Sequence, residues 1–188
     1  MKYDKVTAVY FSPTGNSKKA ANCMAETIGK EIESIDITVM ASNAEFTEGD
    51  FVIFSAPVYA GRIPIMAVDR IRRFKGKGAR AVAIAVYGNR HYDDALLELS
   101  DMLSENGFQV ISAAAFIAQH SIFPKVGTNR PDTADFHQMD AFVSETLQIL
   151  QKDCGKLLPI HIPGNRPYKI PGSIPIFPSG TKKYALSY

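Results

Sequence analysis

Short, wholly apolar runs alternate along the chain with longer stretches in which apolar residues recur every three or four positions. The first kind includes "KVTAVYF" (5–11), "FVIFSAPVY" (51–59), "RAVAIAVYG" (80–88) and "QVISAAAFIA" (109–118). These have no polar face to spare, which predicts strands buried on both sides of a sheet. "ESIDIT" (33–38) predicts a shorter strand. The second kind predicts helices. In "NSKKAANCMAETIGKEI" (16–32), Ala21, Met24, Ala25, Ile28 and Ile32 fall at helical spacing and define one buried face. "IMAVDRIRRF" (65–74) reads as a second helix. "YDDALLELSDMLSENG" (92–107) reads as a third, with Asp93 or Asp94 near its N-cap and Gly107 after its end. "TADFHQMDAFVSETLQILQK" (133–152) is the last, entered through Pro131 and Asp132.

Strand and helix in repeated alternation predict an α/β fold, a parallel sheet with helices on both faces joined by right-handed crossovers. Ligands of such sheets bind beyond the C-terminal ends of the strands, where the strand order reverses. That rule selects three loops, 12–17, 57–64 and 87–92. The alternation stops near Gly155, so the expected domain spans 1–154. Residues 155–188 are dense in proline and predict an extended path. Leu157, Leu158, Ile160, Ile162, Ile170, Ile174, Ile176 and Phe177 make this tail too apolar to stay wet, so it is expected to pack on its own domain or on a sister subunit.

Composition narrows the picture. The chain has 188 residues, 46% of them hydrophobic, which suits one compact domain. No apolar run reaches the roughly 18 residues of a membrane span. "MKYDKVTAVY" leads into a strand pattern and not into the apolar segment of a signal peptide, so a cytoplasmic protein without a membrane partner is expected. The two cysteines, Cys23 and Cys154, lie far apart and predict neither a disulfide framework nor a metal cluster. The four histidines, His91, His120, His137 and His161, lack metal-ligand spacing. Of these, His120 follows a strand on the ligand side. A net charge of +2, with no nucleic-acid motif, gives no reason to expect a nucleic-acid partner. The charge is uneven, however: Arg70, Arg72, Arg73, Lys75, Lys77 and Arg80 crowd one segment. That segment reads as a helix C-terminus complementing the macrodipole, or as a docking patch for an acidic partner.

The three loops carry complementary chemistry. "SPTGNS" (12–17) offers hydroxyls and backbone N–H groups at the start of a helix, the arrangement that holds a phosphate. "APVYAGRIP" (56–64) sets Tyr59 beside Ala60 and Gly61, so that a flat ligand can stack on the ring while backbone approaches its edge. "VYGNRHY" (86–92) again places aromatics, Tyr87 and Tyr92, beside Gly88 and Asn89. Together they describe a site for a mononucleotide with a large planar ring. The first loop lacks the GxxxxGK[ST] order of a phosphoryl-transfer P-loop, the GxGxxG of a dinucleotide site, and any cysteine for thiol phosphatase chemistry.

"FSPTGNSKKAA" resembles the FMN-phosphate loop of flavodoxins. "APVYAGRIP", "VYGNRHYDDALLEL", "QHS" (119–121), "NRPDTAD" (129–135) and "IPIFPSG" look like the flavodoxin half of the flavodoxin–ferredoxin fusion proteins of anaerobic bacteria. The resemblance implies a flavodoxin-like three-layer sandwich with a five-stranded parallel sheet in the order 2-1-3-4-5. It implies FMN as cofactor, its phosphate on Ser12, Thr14, Gly15, Asn16 and Ser17. Its isoalloxazine would lie between the loop of Pro57, Val58, Tyr59, Ala60 and Gly61 and that of Tyr87, Gly88, Asn89 and Tyr92. Arg62 or Arg90 near the ring would favour the reduced, anionic flavin.

The activity so implied is electron transfer by one- or two-electron reduction of the flavin, with no side chain acting as a catalyst. An NAD(P)H-dependent FMN or quinone reductase is the alternative, and a non-catalytic partner-binding module the second. Two departures from the family matter. The fusion relatives carry a ferredoxin module with cysteine-ligated clusters, which the two cysteines here cannot supply. Flavodoxins are also commonly acidic, whereas this chain is slightly basic. A separate acidic ferredoxin is therefore the expected redox partner, with the chain itself a monomer or homodimer.

Overall fold

The computed structural model describes residues 3–152, 160–171 and 182–185. Strands β1 (Tyr3–Tyr10), β2 (Gly29–Asp36), β3 (Phe51–Pro57), β4 (Arg80–Tyr87) and β5 (Gln109–Ile117) pair in parallel, in the order β2-β1-β3-β4-β5. Helices α1 (Asn16–Ile28), α2 (Ile65–Ile71), α3 (Ala95–Glu105) and α4 (Thr133–Lys152) connect and cover them. The strand order reverses between β1 and β3, so the loops after these two strands open at a crevice. A sixth strand, β6 (Lys182–Ala185), adds an antiparallel edge to β5, and no proline-rich reading of the tail anticipates it.

Two apolar layers flank the sheet. On one side Val6, Ala8, Ile53, Ile84 and Phe116 pack against Met24 and Ile28 of α1 and Phe142 of α4. On the other, Val52, Phe54, Ala83 and Ala113 pack against Ile71 of α2 and Leu96, Leu99 and Leu103 of α3. Small residues such as Ala83, Ala113 and Ala115 let the helices approach the central strands closely.

Three predicted boundaries shift. Helix α1 stops at Ile28, four residues early, and β2 begins at once. A Cβ at Gly29 would lie 3.0 Å from Val6 Cγ2 and from the Glu31 carbonyl oxygen, so any larger residue would press on these neighbours where the chain turns directly into the edge strand. Ile32, which helical spacing puts on a buried face, is instead 40% exposed on β2. Helix α2 ends at Ile71 because Phe74 turns inward, its ring 5.8 Å from that of Phe54. Helix α3 starts at Ala95, and Asp94 at its N-cap makes no side-chain capping bond.

Candidate functional site

The 11–17 loop is tied down on both flanks. Phe11 N–H donates to the Ser55 carbonyl (3.0 Å), and Ser12 N–H to Thr38 Oγ1 (2.8 Å). Ser12 Oγ accepts from Lys18 N–H at 3.0 Å, which places this hydroxyl inside the loop and not on the cavity wall. Gly15, at φ 83°, initiates α1. A Cβ there would meet open space, so it is the left-handed backbone and not room that calls for glycine. The first turn of α1 contains no acidic residue, and the N–H groups of Asn16 and Ser17 meet no acceptor among the described residues. Two such donors at the positive end of a thirteen-residue helix present the geometry that favours an anion.

The second loop is a tight two-residue hairpin. Tyr59 and Arg62 exchange backbone hydrogen bonds of 2.9 and 3.1 Å around Ala60 (φ 51°) and Gly61 (φ 85°). Positive φ at both central residues marks the type I′ geometry, which leaves Tyr59 42% exposed at the tip. Burial pushes the Tyr59 phenol pKa up. In the third loop, Asn89 takes φ 57° and Asp93 φ 44°. A Cβ on Gly61 would lie 2.3 Å from Asp93 Oδ2, so these two loops touch.

Between them and the α1 N-terminus lies a cavity of about 510 Å³, within the usual range for small-molecule sites. Thr14, Asn16 and Ser17 line its polar end; Pro57, Val58, Tyr59, Ala60 and Gly61 line one side, and Tyr87, Gly88 and Arg90 another. Five predicted residues, Ser12, Gly15, Arg62, Asn89 and Tyr92, do not line it. Ser12 and Gly15 shape the 12–17 loop from behind, as described. Asn89 is the left-handed residue of its turn. Tyr92 is buried, its ring packed on those of Tyr87 (5.6 Å) and His91 (5.1 Å).

Arg62 points elsewhere, into a second cavity of about 900 Å³ that shares Tyr59 and Ala60 with the first. Its guanidinium forms a two-bond ion pair with Glu98 of α3 (2.8 and 2.6 Å) and stacks 4.8 Å from the Tyr168 ring. Glu98 also accepts from Ile63 N–H at 2.9 Å. The buried Glu98 carboxylate captures Arg62, one of the two arginines expected near the ring; Arg90, the other, lines the first cavity.

A fourth wall, from Ala118 to Phe123 after β5, was not among the predicted residues. His120 Nδ1 accepts from the N–H groups of Ile122 (3.1 Å) and Phe123 (3.2 Å). A Cβ at Gly88 would fall 2.7 Å from His120 Cδ2, so these loops close on each other. Ile122 and Phe123 are 73% and 61% exposed and form an apolar lip. The signal was available: the segment follows a strand's C-terminal end, the same rule that selected the other three loops. Arg130, ion-paired with the fully buried Asp135 of α4, anchors the far end of this wall.

Three acidic residues around the site have pKa values held below the usual carboxylate range. Burial pushes Asp93, Asp101 and Asp135 up, and their cations overcome it: Lys169 and Arg90 for Asp93, Arg166 for Asp101, Arg130 for Asp135. Folded pKa values lower than unfolded ones contribute stability that is present above the unfolded pKa and is lost as pH falls through the folded value. Urea midpoints are therefore expected to hold from neutrality to about pH 4 and to fall below it, as these groups take up protons. An Asp135→Asn protein, less stable at pH 7, should show a shallower fall.

Cys23 is half-buried and free, and burial raises its thiol pKa; Cys154 lies outside the described residues. Among the described residues no helix is long and apolar enough to cross a membrane.

Residues 8–76 match the sequence model of the Flavodoxin domain family. Similar solved structures include a flavodoxin from the domain Archaea, with 14% identity, a TM-score of 0.53, and coverage of 78% of this chain and 99% of that one. An NADH:FMN oxidoreductase in its apo form gives 13%, 0.54, 81% and 91% in the same order. The rubredoxin oxygen:oxidoreductase of the anaerobe Desulfovibrio gigas gives 16%, 0.52 and 82%, and this chain spans 38% of its length. No match was found among curated protein sequences. The fold is flavodoxin-like: five parallel strands in the order 2-1-3-4-5 with helices on both faces.

Proposed function

We propose that the chain is a cytoplasmic, FMN-binding electron-transfer protein, akin to the flavodoxin half of the flavodoxin–ferredoxin fusions. One observation carries this reading. A single cavity joins the unmet N–H groups of Asn16 and Ser17 to an aromatic, glycine-containing end some three loops wide. A phosphate fits the first end and a planar ring the second, and the glycines at 61 and 88 keep the backbone close to the ring edge. When bound, the flavin supplies the redox chemistry, accepting one or two electrons. The residues of this chain hold and orient it. Thr14 and Ser17 offer hydroxyls to the phosphate, Tyr59 stacks, and Arg90, on the cavity wall, places positive charge beside the ring.

The similarity to an NADH:FMN oxidoreductase structure, with the exposed lip of Ile122 and Phe123, supports a second reading as an NAD(P)H-dependent FMN or quinone reductase. An acidic ferredoxin remains the proposed redox partner. Several cations of the basic segment are already engaged: Arg70 with the Ile37 and Thr38 carbonyls, Lys77 with Glu45, Arg72 with Glu105. Lys75 also donates to the Arg72 carbonyl and to Asn106 Oδ1, yet Arg72, Arg73, Lys75 and Lys77 all stay exposed and can face such a partner.

Titrating the purified protein with FMN tests the reading. Quenching of flavin fluorescence and a bound yellow chromophore are expected, with riboflavin held more weakly by about tenfold or more for want of the phosphate contacts. Equal affinity for the two would remove the phosphate assignment. Bleaching of the bound chromophore on mixing with NADH or NADPH would favour the reductase.

A further inference from the structure

The extended segment 160–171 lies along α3 and is fastened at several points. Arg166 pairs with Asp101 through two bonds of 2.7 and 2.5 Å, and Tyr168 Oη donates to Asp101 at 2.6 Å. Asp94, positioned as a helix cap, instead accepts the backbone N–H groups of Asn165 (2.8 Å) and Lys169 (2.6 Å). Gly164 passes so close that a Cβ would sit 2.7 Å from Leu97 Cδ2.

The last anchors reach the cavity loops. Lys169 Nζ donates to Asp93 Oδ2 at 2.8 Å, with only 11% and 10% of the two side chains exposed. The same oxygen accepts from Arg90 at 2.6 Å, and it is the atom that a Cβ on Gly61 would strike. The Lys169 carbonyl accepts from Arg62 Nη1 at 2.9 Å. One residue of the segment therefore holds both loops that line the aromatic end of the cavity: 57–62 through its carbonyl and 88–94 through its ammonium. Both loops contain left-handed non-glycine residues, Ala60 in one and Asn89 and Asp93 in the other, conformations that persist only where surrounding contacts enforce them.

We propose that segment 160–171 is a working part of the cavity, in which Lys169 is a positioning residue that sets the spacing of the two ring-binding loops. The identity of the ligand rests on the flavin reading above. The phosphate loop lies at the opposite end and shares none of these bonds, so the strap acts on the planar half of the ligand alone.

The test compares Lys169→Met and Lys169→Arg with the wild-type full chain. Two readouts are used: FMN and riboflavin affinity by fluorescence, and amide hydrogen exchange of the flavin-free protein. Lys169→Met is expected to weaken FMN and riboflavin equally, by about tenfold, because Asp93 loses a buried partner. Lys169→Arg, which keeps charge and donors, is expected to recover most of it. Exchange should accelerate at 89–94 in Lys169→Met, where the ammonium contact is lost, more than at 59–62, whose bond to the Lys169 carbonyl remains, and stay unchanged at 12–17. Unaltered exchange at 89–94, or a loss confined to FMN, overturns the proposal. Should the wild type bind no flavin, the functional reading falls, while the exchange data still decide whether the strap holds the loops. Where Lys169→Met does not fold, Asp93→Asn weakens the same ion pair from its other side, and unchanged exchange at 89–94 there is equally decisive against it.

Discussion

Replacing Asn16 with Asp is expected to weaken FMN binding about a hundredfold while leaving riboflavin binding within about twofold. The substitution preserves shape and adds one negative charge to the first turn of α1, beside the N–H groups that await an anion. A carboxylate roughly 5 Å from a phosphate dianion, at an effective dielectric near about 40, costs about 3 kcal/mol. Riboflavin carries no such charge. The free protein should respond in the opposite sense, because an acid in the first turn complements the helix dipole and contributes about 0.5 kcal/mol of stability. A binding titration with both flavins and a urea melt of the free protein check all three outcomes. Equal losses for the two flavins would move the phosphate away from this helix.

The largest stability effect is expected at Glu98, not at the cavity. Glu98→Ala removes the acceptor of three bonds, two from Arg62 and one from Ile63 N–H, inside a region where only 8% of the Glu98 side chain meets solvent. Arg62, 25% exposed, is left with its Lys169 carbonyl bond and the Tyr168 ring. Breaking a buried pair on one side costs more than the pair contributes, since the remaining group keeps its desolvation penalty. A loss of about 3 kcal/mol follows, read as a lower urea midpoint at unchanged slope. Glu98→Gln, which retains an acceptor for Ile63 N–H and Arg62, should lose about half as much. Because Arg62 closes the hairpin of Tyr59, the Ala variant should also bind both flavins more weakly.

The sheet was legible because its signal is local. Buried parallel strands read as unbroken apolar runs, and the crevice rule then located three of the four cavity walls without any knowledge of contacts. What escaped depends on distant partners. Arg62 sits beside the ring loop in sequence, yet its side chain answers to Glu98, thirty-six positions on. Asp94 occupies a capping position and Asp93 precedes it, yet both carboxylates serve the strap near Lys169. The end of α1 was misplaced because Ile32 continues the helical period by coincidence, while the turn at Gly29 packs so close to Val6 that a Cβ there would sit 3.0 Å from its Cγ2. Charge pairing and close backbone approach across more than about a dozen residues leave no periodic trace for a sequence to show.

The two margins of the sheet differ in how they resist self-association. Beside β5, whose paired stretch of small and apolar residues would template further strands if bare, β6 already occupies the hydrogen-bonding row from Ser112 to Ala115. At the other margin β2 lies open, and there Lys30, Glu31, Glu33 and Asp36 spread charge along a strand whose one sizeable exposed apolar side chain is Ile32. Charged margins deter a neighbouring chain from pairing, and at the covered margin the edge passes to the short, lysine-containing β6. Chains shortened before Lys182 would uncover the apolar row, giving an aggregation-prone product whose cause lies in sheet chemistry and not in the flavin cavity.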